Sequence, residues 1–458
     1  MFLFYSKMNI CIIGGGPTGL RVADKLTREG FNIELYEREE NLGGCWKVDW
    51  DDGYYREHAP RVLTTNYNRT LKLCNKLKVK TAKVYGNKLY TYYMFFNFFV
   101  KHFTSTDFIS MIGATRFMNK KDTRTLEKWM DDEKISDNAR SALRKFALSI
   151  ATNEKEILAY SLFDAIYQGE NANFLQFKEN DLWIKRWEED LLSRPNLKII
   201  KGSSVSSFKI KGEKITSCKI GKTNIVADYF VCCIPLYSLK EILNKSSEKI
   251  QNNWSKIDNF DDYCTKSSYS GLGFQLHFKN KLNIGPTWNS DKFTDWSIEV
   301  IDIGKYSDNI SKNESIRQVL SCVIVDTNAK STILDKSPND ISDIDLIITE
   351  AIRQLSISNG LTIIPDKVTI SDGLKYNKSK SFWDMKYSAF HPTDQGELKP
   401  NGDIENLFSV GPHNIYEVAS LENALKSADI FVDEFIKIIK GKEDTNIDIR
   451  TMIIPQSI

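Results

Sequence analysis

The run Gly14-Gly15-Gly16-Pro17-Thr18-Gly19, followed by Glu37 and then Gly43-Gly44, has the residue types and spacing of a dinucleotide phosphate site. Gly14 allows a tight turn, Gly16 lets the backbone approach a pyrophosphate, and Gly19 lets a helix pack close to a strand. Pro17 and Thr18 would open that helix. Its unpaired N–H groups and its dipole favour negative charge. Glu37 stands where an acid accepts hydrogen bonds from a ribose, and it would repel the 2′-phosphate of NADP. Arg38 beside it offsets that repulsion in part. The flanking pattern supplies the elements that must position these groups. Asn9-Ile10-Cys11-Ile12-Ile13 reads as a buried parallel strand, Leu20, Ala23 and Leu26 recur at helical spacing, and 31–36 reads as a second strand.

The stretch 14–44 resembles the start of the two-dinucleotide-binding-domain flavoproteins, with Ala23, Leu26, Gly30, Ile33, Glu37 and Gly43-Gly44 in the pattern positions. Three later patches extend the likeness. Ala227-Asp228-Tyr229-Phe230-Val231-Cys232-Cys233-Ile234-Pro235 resembles a strand ending in proline. Val205 resembles the valine whose backbone holds the adenine. Leu407-Phe408-Ser409-Val410-Gly411, then Leu421-Glu422-Asn423-Ala424, resembles the closing motif. Together they resemble the flavin-containing amine oxidase superfamily, which includes protoporphyrinogen oxidase and carotenoid desaturases. The resemblance implies non-covalent FAD. Gly14, Gly16, Pro17, Thr18, Gly19, Gly43, Gly44 and Trp46 would lie along the dinucleotide. Glu37 and Arg38 would meet the ribose end, and Pro60, Arg61, Gly411, Leu421 and Glu422 would face the flavin half. Cys45 replaces the family's frequent arginine, so Arg61 is the substitute charge.

The implied fold class is α/β: an FAD-binding Rossmann-like GxGxxG domain with an inserted α+β substrate-binding domain. The expected cofactor domain is discontinuous, over 8–75, 195–240 and 400–440. A mostly helical insertion would span 76–194, with helices at 123–134, 136–151 and 182–192. A mixed-sheet substrate domain would span 241–399, with a half-buried strand at 273–278, a strand at 320–325 and a helix at 344–355. The last helix would run 421–439, with Leu425, Ala428, Phe431, Phe435 and Ile438 inward, before a polar tail over 441–458.

The 458 residues carry a net charge of +2 without a basic block, so no nucleic-acid partner is expected. The eight cysteines form no CxxC and no zinc spacing, which excludes a metal role and fits a reducing, cytoplasmic compartment. The aromatic-rich stretch 90–103 is too short to span a bilayer and reads as a buried or channel-lining helix, so no membrane partner is expected. The expected partner is a small-molecule substrate.

FAD would carry the reaction. There is no second GxGxxG for a nicotinamide. Gly44-Cys45-Trp46 resembles flavin monooxygenases, but their downstream glycine–histidine fingerprint is missing. The expectation is therefore an FAD-dependent oxidoreductase of amine oxidase type, moving a hydride from an amine to flavin N5 with oxygen as acceptor. The alternatives are a desaturase or porphyrinogen-type oxidase on an apolar substrate, and a non-catalytic FAD-binding protein. The family's lysine near N5 has no counterpart in 271–278, which keeps the last alternative open. Ser420 replaces the usual cage aromatic, leaving Trp288, Trp296, Trp383, Tyr387 and Phe390 as substitutes, and His58, His277, His391 and His413 as potential acids or bases.

Overall fold

The computed structural model describes residues 8–84, 100–118, 122–149, 152, 154–170, 173–269, 271–284, 294–379, 381–385, 388–394 and 396–444. The chain forms two compact units, one from Met1–Lys47, Trp183–Ser268 and Ala389–Ile458, the other from Val48–Leu182 and Tyr269–Ser388. Residues 48–75, expected with the cofactor domain, belong to the second unit. There the strands Val48–Asp51 and Tyr54–Glu57 pair with each other, and the second of them packs on that unit's main sheet.

The first unit is built on a five-stranded sheet in the order Leu407–Ser409, Tyr229–Cys232, Asn9–Ile13, Asn32–Tyr36, Leu197–Ile200, with every pair parallel. Ile10, Cys11, Ile12 and Ile13 are all buried, as the apolar run requires of a strand covered on both faces. The helix Pro17–Arg28 follows, with Leu20, Val22, Ala23 and Leu26 inward. It packs on the long helix Leu421–Asp444, and Arg21 donates to Asp429 at 2.7 Å beside a Lys25–Asp433 ion pair. Leu425, Ala428, Phe431 and Phe435 face the core, but Ile439 is buried and Ile438 only half-buried. The helical phase from Phe435 advances four residues to the next inward position. A three-stranded antiparallel sheet, Val205–Lys211, Lys214–Ile220 and Thr223–Ile225, completes this unit's core.

The second unit centres on an antiparallel sheet ordered Ile298–Asp302, Gln318–Ile324, Leu272–Phe278, Lys367–Ile370. The helix Ile344–Asn359 contributes Ile347, Ile348, Ala351 and Leu355 to the same core. The strand expected to be half-buried is buried at all seven positions, Leu272–Phe278. It is a central strand, and its polar residues Gln275 and His277 bury against Tyr54–Glu57 and Thr369 instead of facing water. The helices Leu126–Asp132, Asp137–Ser149 and Ala159–Glu170 lie in this unit as well. The stretch 90–99 and the tail from 445 lie outside the described residues. Of the aromatic-rich segment, Val100 and Lys101 are exposed and His102 and Phe103 half-buried.

Candidate functional site

The glycine turn is fixed by backbone contacts that admit no side chain at two places. Gly14 has φ +105°, and a Cβ there would lie 2.6 Å from the Cys233 carbonyl oxygen. A Cβ on Gly19 would lie 1.9 Å from the Gly14 carbonyl oxygen. The first helix therefore sits against its own strand at a separation only glycine permits. Gly16 differs. A Cβ built there meets nothing within 4 Å, so the space above it is open. Gly16 is the helix N-cap without a side-chain cap, and Pro17 stands in the first turn. The amides of Thr18 and Gly19 are thus among the N–H groups that the helix itself cannot satisfy. Gly43 donates to the Gly15 carbonyl at 2.8 Å, and Gly44 approaches Gly16 closely. The second glycine pair therefore forms one side of the same cradle.

Glu37 ends the second strand and is buried. Its Oε2 accepts from the Gly15 amide at 2.6 Å and its Oε1 from the Glu39 amide at 3.0 Å. These charge-assisted bonds tie the acid to the turn it serves. Each carboxylate oxygen keeps a further lone pair. Arg38 pairs with Glu39 at 3.3 Å. Trp46 closes the short helical turn Gly44–Trp46 and packs edge-on against Trp183, with centroids 6.1 Å apart. Val205 is buried at the start of its strand, opposite Ile220.

The closing motif lies in the same unit. Val410 donates to the Cys232 carbonyl, and Gly411 donates to Asn414 Oδ1 at 2.9 Å. His413 Nε2 lies 2.9 Å from Ser409 Oγ, and burial pushes its imidazole down to about 3. It is a neutral packing residue rather than an acid or base at neutral pH. Leu421 and Glu422 form the first turn of the long helix and are buried. Ser420 Oγ accepts from the Asn423 amide at 3.0 Å, so the residue found in place of the cage aromatic is an N-cap. A serine directly before a helical run was the available sequence signal.

Among the described residues, the candidate cage aromatics Trp296, Trp383 and Phe390 are buried. Trp383 donates its indole N–H to the Pro338 and Ile341 carbonyls and is a core residue. Trp296 is completely buried, and Phe390 packs edge-on to His413. Trp288 and Tyr387 lie outside the described residues.

Pro60 and Arg61 belong to the second unit. Arg61 is buried with its guanidinium 3.3 Å from Glu57, and its carbonyl accepts from Gln176. Its charge therefore has a carboxylate partner within its own unit. Tyr55 donates to Glu57 at 2.9 Å and accepts from Asn180 at 2.9 Å. Gln275 binds the Glu57 backbone in both directions, at 3.2 and 3.0 Å. A Cβ on Gly273 would collide with the His58 carbonyl, so this segment lies directly on the central strand. Burial, helped by the nearby Arg61 charge, pushes His58 down to about 4. Burial pushes His277 down to about 4 as well, and its Nε2 lies 3.1 Å from Thr369 Oγ1. The Tyr55–Asn180, Gln275–Glu57 and Thr369–Tyr55 contacts have no signal in the sequence, because these partners are far apart along the chain.

The open cradle and the acid at the end of the second strand define a dinucleotide-binding Rossmann-like fold joined to an α+β unit. Residues 12–77 match the family described as NAD(P)-binding Rossmann-like domain. A solved putrescine oxidase, bound to putrescine, superposes with a TM-score of 0.62 at 12% identity over 94% of this chain and 99% of its own. Cyclohexylamine oxidase from Brevibacterium oxydans superposes with a TM-score of 0.60 at 11% identity, again over 94% and 99%. Among curated proteins, senecionine N-oxygenase from Tyria jacobaeae is 27% identical over 132 residues. That match spans 27% of this chain and 28% of the relative. The likeness to these solved oxidases is one of fold and extends over 94% of this chain.

Proposed function

We propose that the chain is an FAD-dependent oxidoreductase of the amine oxidase type, with FAD held non-covalently. The observation that carries this reading is the cradle at Gly16, open where a Cβ would stand and bordered by Gly43-Gly44 and the Glu37 carboxylate. Its residues fit the cofactor. The Thr18 and Gly19 amides, at the N-terminus of the first helix, would hold the pyrophosphate. Glu37 would accept from the ribose through its remaining lone pairs while holding the Gly15 amide. Val205, Gly411 and the N-terminus at Leu421 and Glu422 lie in the same unit and would bind the adenine and flavin ends. When bound, FAD would supply an acceptor for a hydride from a carbon next to nitrogen.

The protein's own part is orientation. The Gly14 and Gly19 contacts and the Ser420 cap fix the two helix N-termini before a ligand arrives, which reduces the ordering cost of binding. The oxidase folds of the putrescine and cyclohexylamine enzymes support an amine substrate, with oxygen as acceptor. The test is anaerobic titration of the purified yellow protein with mono-, di- and polyamines, followed by absorbance. Bleaching by an amine supports the reading. A flavin that dithionite bleaches and no amine does would refute it.

A further inference from the structure

We propose that the second unit holds a binding site for one primary ammonium group, made by the Glu57 and Asp181 carboxylates and the Asn180 amide around the Tyr55 hydroxyl. These three side chains are 3%, 9% and 2% exposed, in that order. Their contacts engage one polar atom of each. Glu57 Oε2 accepts from the Tyr55 hydroxyl at 2.9 Å and lies 3.3 Å from the Arg61 guanidinium. Asn180 Nδ2 donates to the same hydroxyl at 2.9 Å. Asp181 Oδ2 accepts from the half-buried Asn309 amide at 2.9 Å. The second oxygen of each, Glu57 Oε1, Asn180 Oδ1 and Asp181 Oδ1, is buried with no hydrogen-bond partner among the described residues. Buried polar oxygens ordinarily have one.

The Tyr55 hydroxyl gathers these groups. Its two hydrogen bonds place Asn180 Nδ2 and Glu57 Oε2 within about 6 Å of each other. Its hydrogen goes to Glu57, so the Asn180 amide presents its NH2 to the phenol oxygen and turns Oδ1 away from it. Asp181 is the next residue along the chain. Tyr55 is held well above the ordinary phenol range, chiefly by burial, then by the Glu57 charge, with Asp181 adding to it. All three leftover atoms are acceptors, so the ligand they call for is a donor. A primary ammonium carries three N–H donors, one for each oxygen, whereas a water molecule carries two. The charges agree. Two carboxylates and the single Arg61 guanidinium leave the network one negative charge, and a buried charge calls for a partner. Among the described residues there is no group of three His, Cys, Asp or Glu side chains able to hold a metal.

The test is equilibrium dialysis of the full-length protein against radiolabelled methylammonium, with the flavin first reduced by dithionite under nitrogen. A reduced flavin accepts no hydride, so binding is read apart from oxidation. Methylammonium is expected to bind, and an equal concentration of tetramethylammonium, which has the charge but no N–H, should not displace it. Asp181→Asn keeps an acceptor for Asn309 and removes the charge, so it should weaken binding by about tenfold or more. Glu57→Gln should do the same, with an unchanged melting temperature showing that the fold is kept. No binding, displacement by an equal concentration of tetramethylammonium or potassium, or unchanged affinity in Asp181→Asn overturns the proposal. That the amine held here is also the one oxidised rests on the function proposed above, and the two fail separately. Amines that bleach the flavin while Asp181→Asn binds methylammonium as the wild type does refute this site and keep that function. Binding lost in Asp181→Asn, with a flavin that no amine bleaches, keeps this site and refutes that function.

Discussion

At the scale of single residues, the glycines of the first turn separate two functions that a motif merges. A Cβ at Gly16 meets nothing, so in the proposed binding mode the side chain of Gly16→Val would occupy the place of the pyrophosphate. The expected outcome is loss of bound FAD with little change in the melting temperature of the cofactor-free protein. Gly19→Ala instead drives a methyl into the Gly14 carbonyl. It should destabilise the protein by about 1–3 kcal/mol or more, read from denaturant melts. If both variants lose FAD and stability equally, Gly16 has no separate role. Glu37→Ala removes the acceptor of two backbone amides, at Gly15 and Glu39, and with it the proposed ribose acceptor. It should weaken FAD binding strongly and lower stability by about 1–3 kcal/mol, the cost of leaving buried donors unpaired. Full flavin content in purified Glu37→Ala would refute the assignment.

At the scale of elements, Ser420, which stands in place of the usual cage aromatic, and Trp383, a candidate substitute for it, both fasten local structure. Ser420 caps the long helix, and Ser420→Ala should cost about 1 kcal/mol in chemical denaturation. Trp383 spends its indole N–H on two carbonyls of the 338–341 turn. Trp383→Phe should therefore lower the melting temperature while leaving amine-dependent bleaching of the flavin unchanged. A change in amine specificity with normal stability would return Trp383 to the site. The strands and helices themselves were largely legible. The apolar run at Asn9–Ile13 and the helix Ile344–Asn359 lie where their periodicity places them. The burial of Leu272–Phe278 was not legible, because alternation shows a strand's two faces but not that polar Gln275 and His277 find partners beneath a second layer.

For the whole molecule, buried imidazoles set the acid side of the stability profile. His58 and His277 are held near 4 and His413 near 3, against an ordinary value of 6.5, each chiefly by burial. Below 6.5 the unfolded chain takes up protons that the folded chain refuses, so unfolding is favoured as pH falls. This part of the stability is complete above about pH 6.5 and declines through about pH 3–4. The denaturation midpoint should therefore drop steadily from about pH 7 to about pH 5, above the usual range of the carboxylates. A flat midpoint across that interval would show that these rings are solvated in the folded protein.

The sequence by itself determined the glycine turn and its order of strand, turn, helix and acid, because glycine geometry and hydrophobic period are local patterns that act over a few residues. Val205, Gly411 and Leu421-Glu422 were singled out by family resemblance alone. Only the tertiary structure decided what neighbours do to those residues. It joins the 48–75 segment to the second unit. It pairs Arg61 with Glu57, ties Glu57 to Gln275, and puts Ser420 and Trp383 to structural use. The physical reason is that burial and hydrogen bonding depend on which residues meet, and Gln275 lies 218 positions from Glu57 and Ile341 42 positions from Trp383 along the chain.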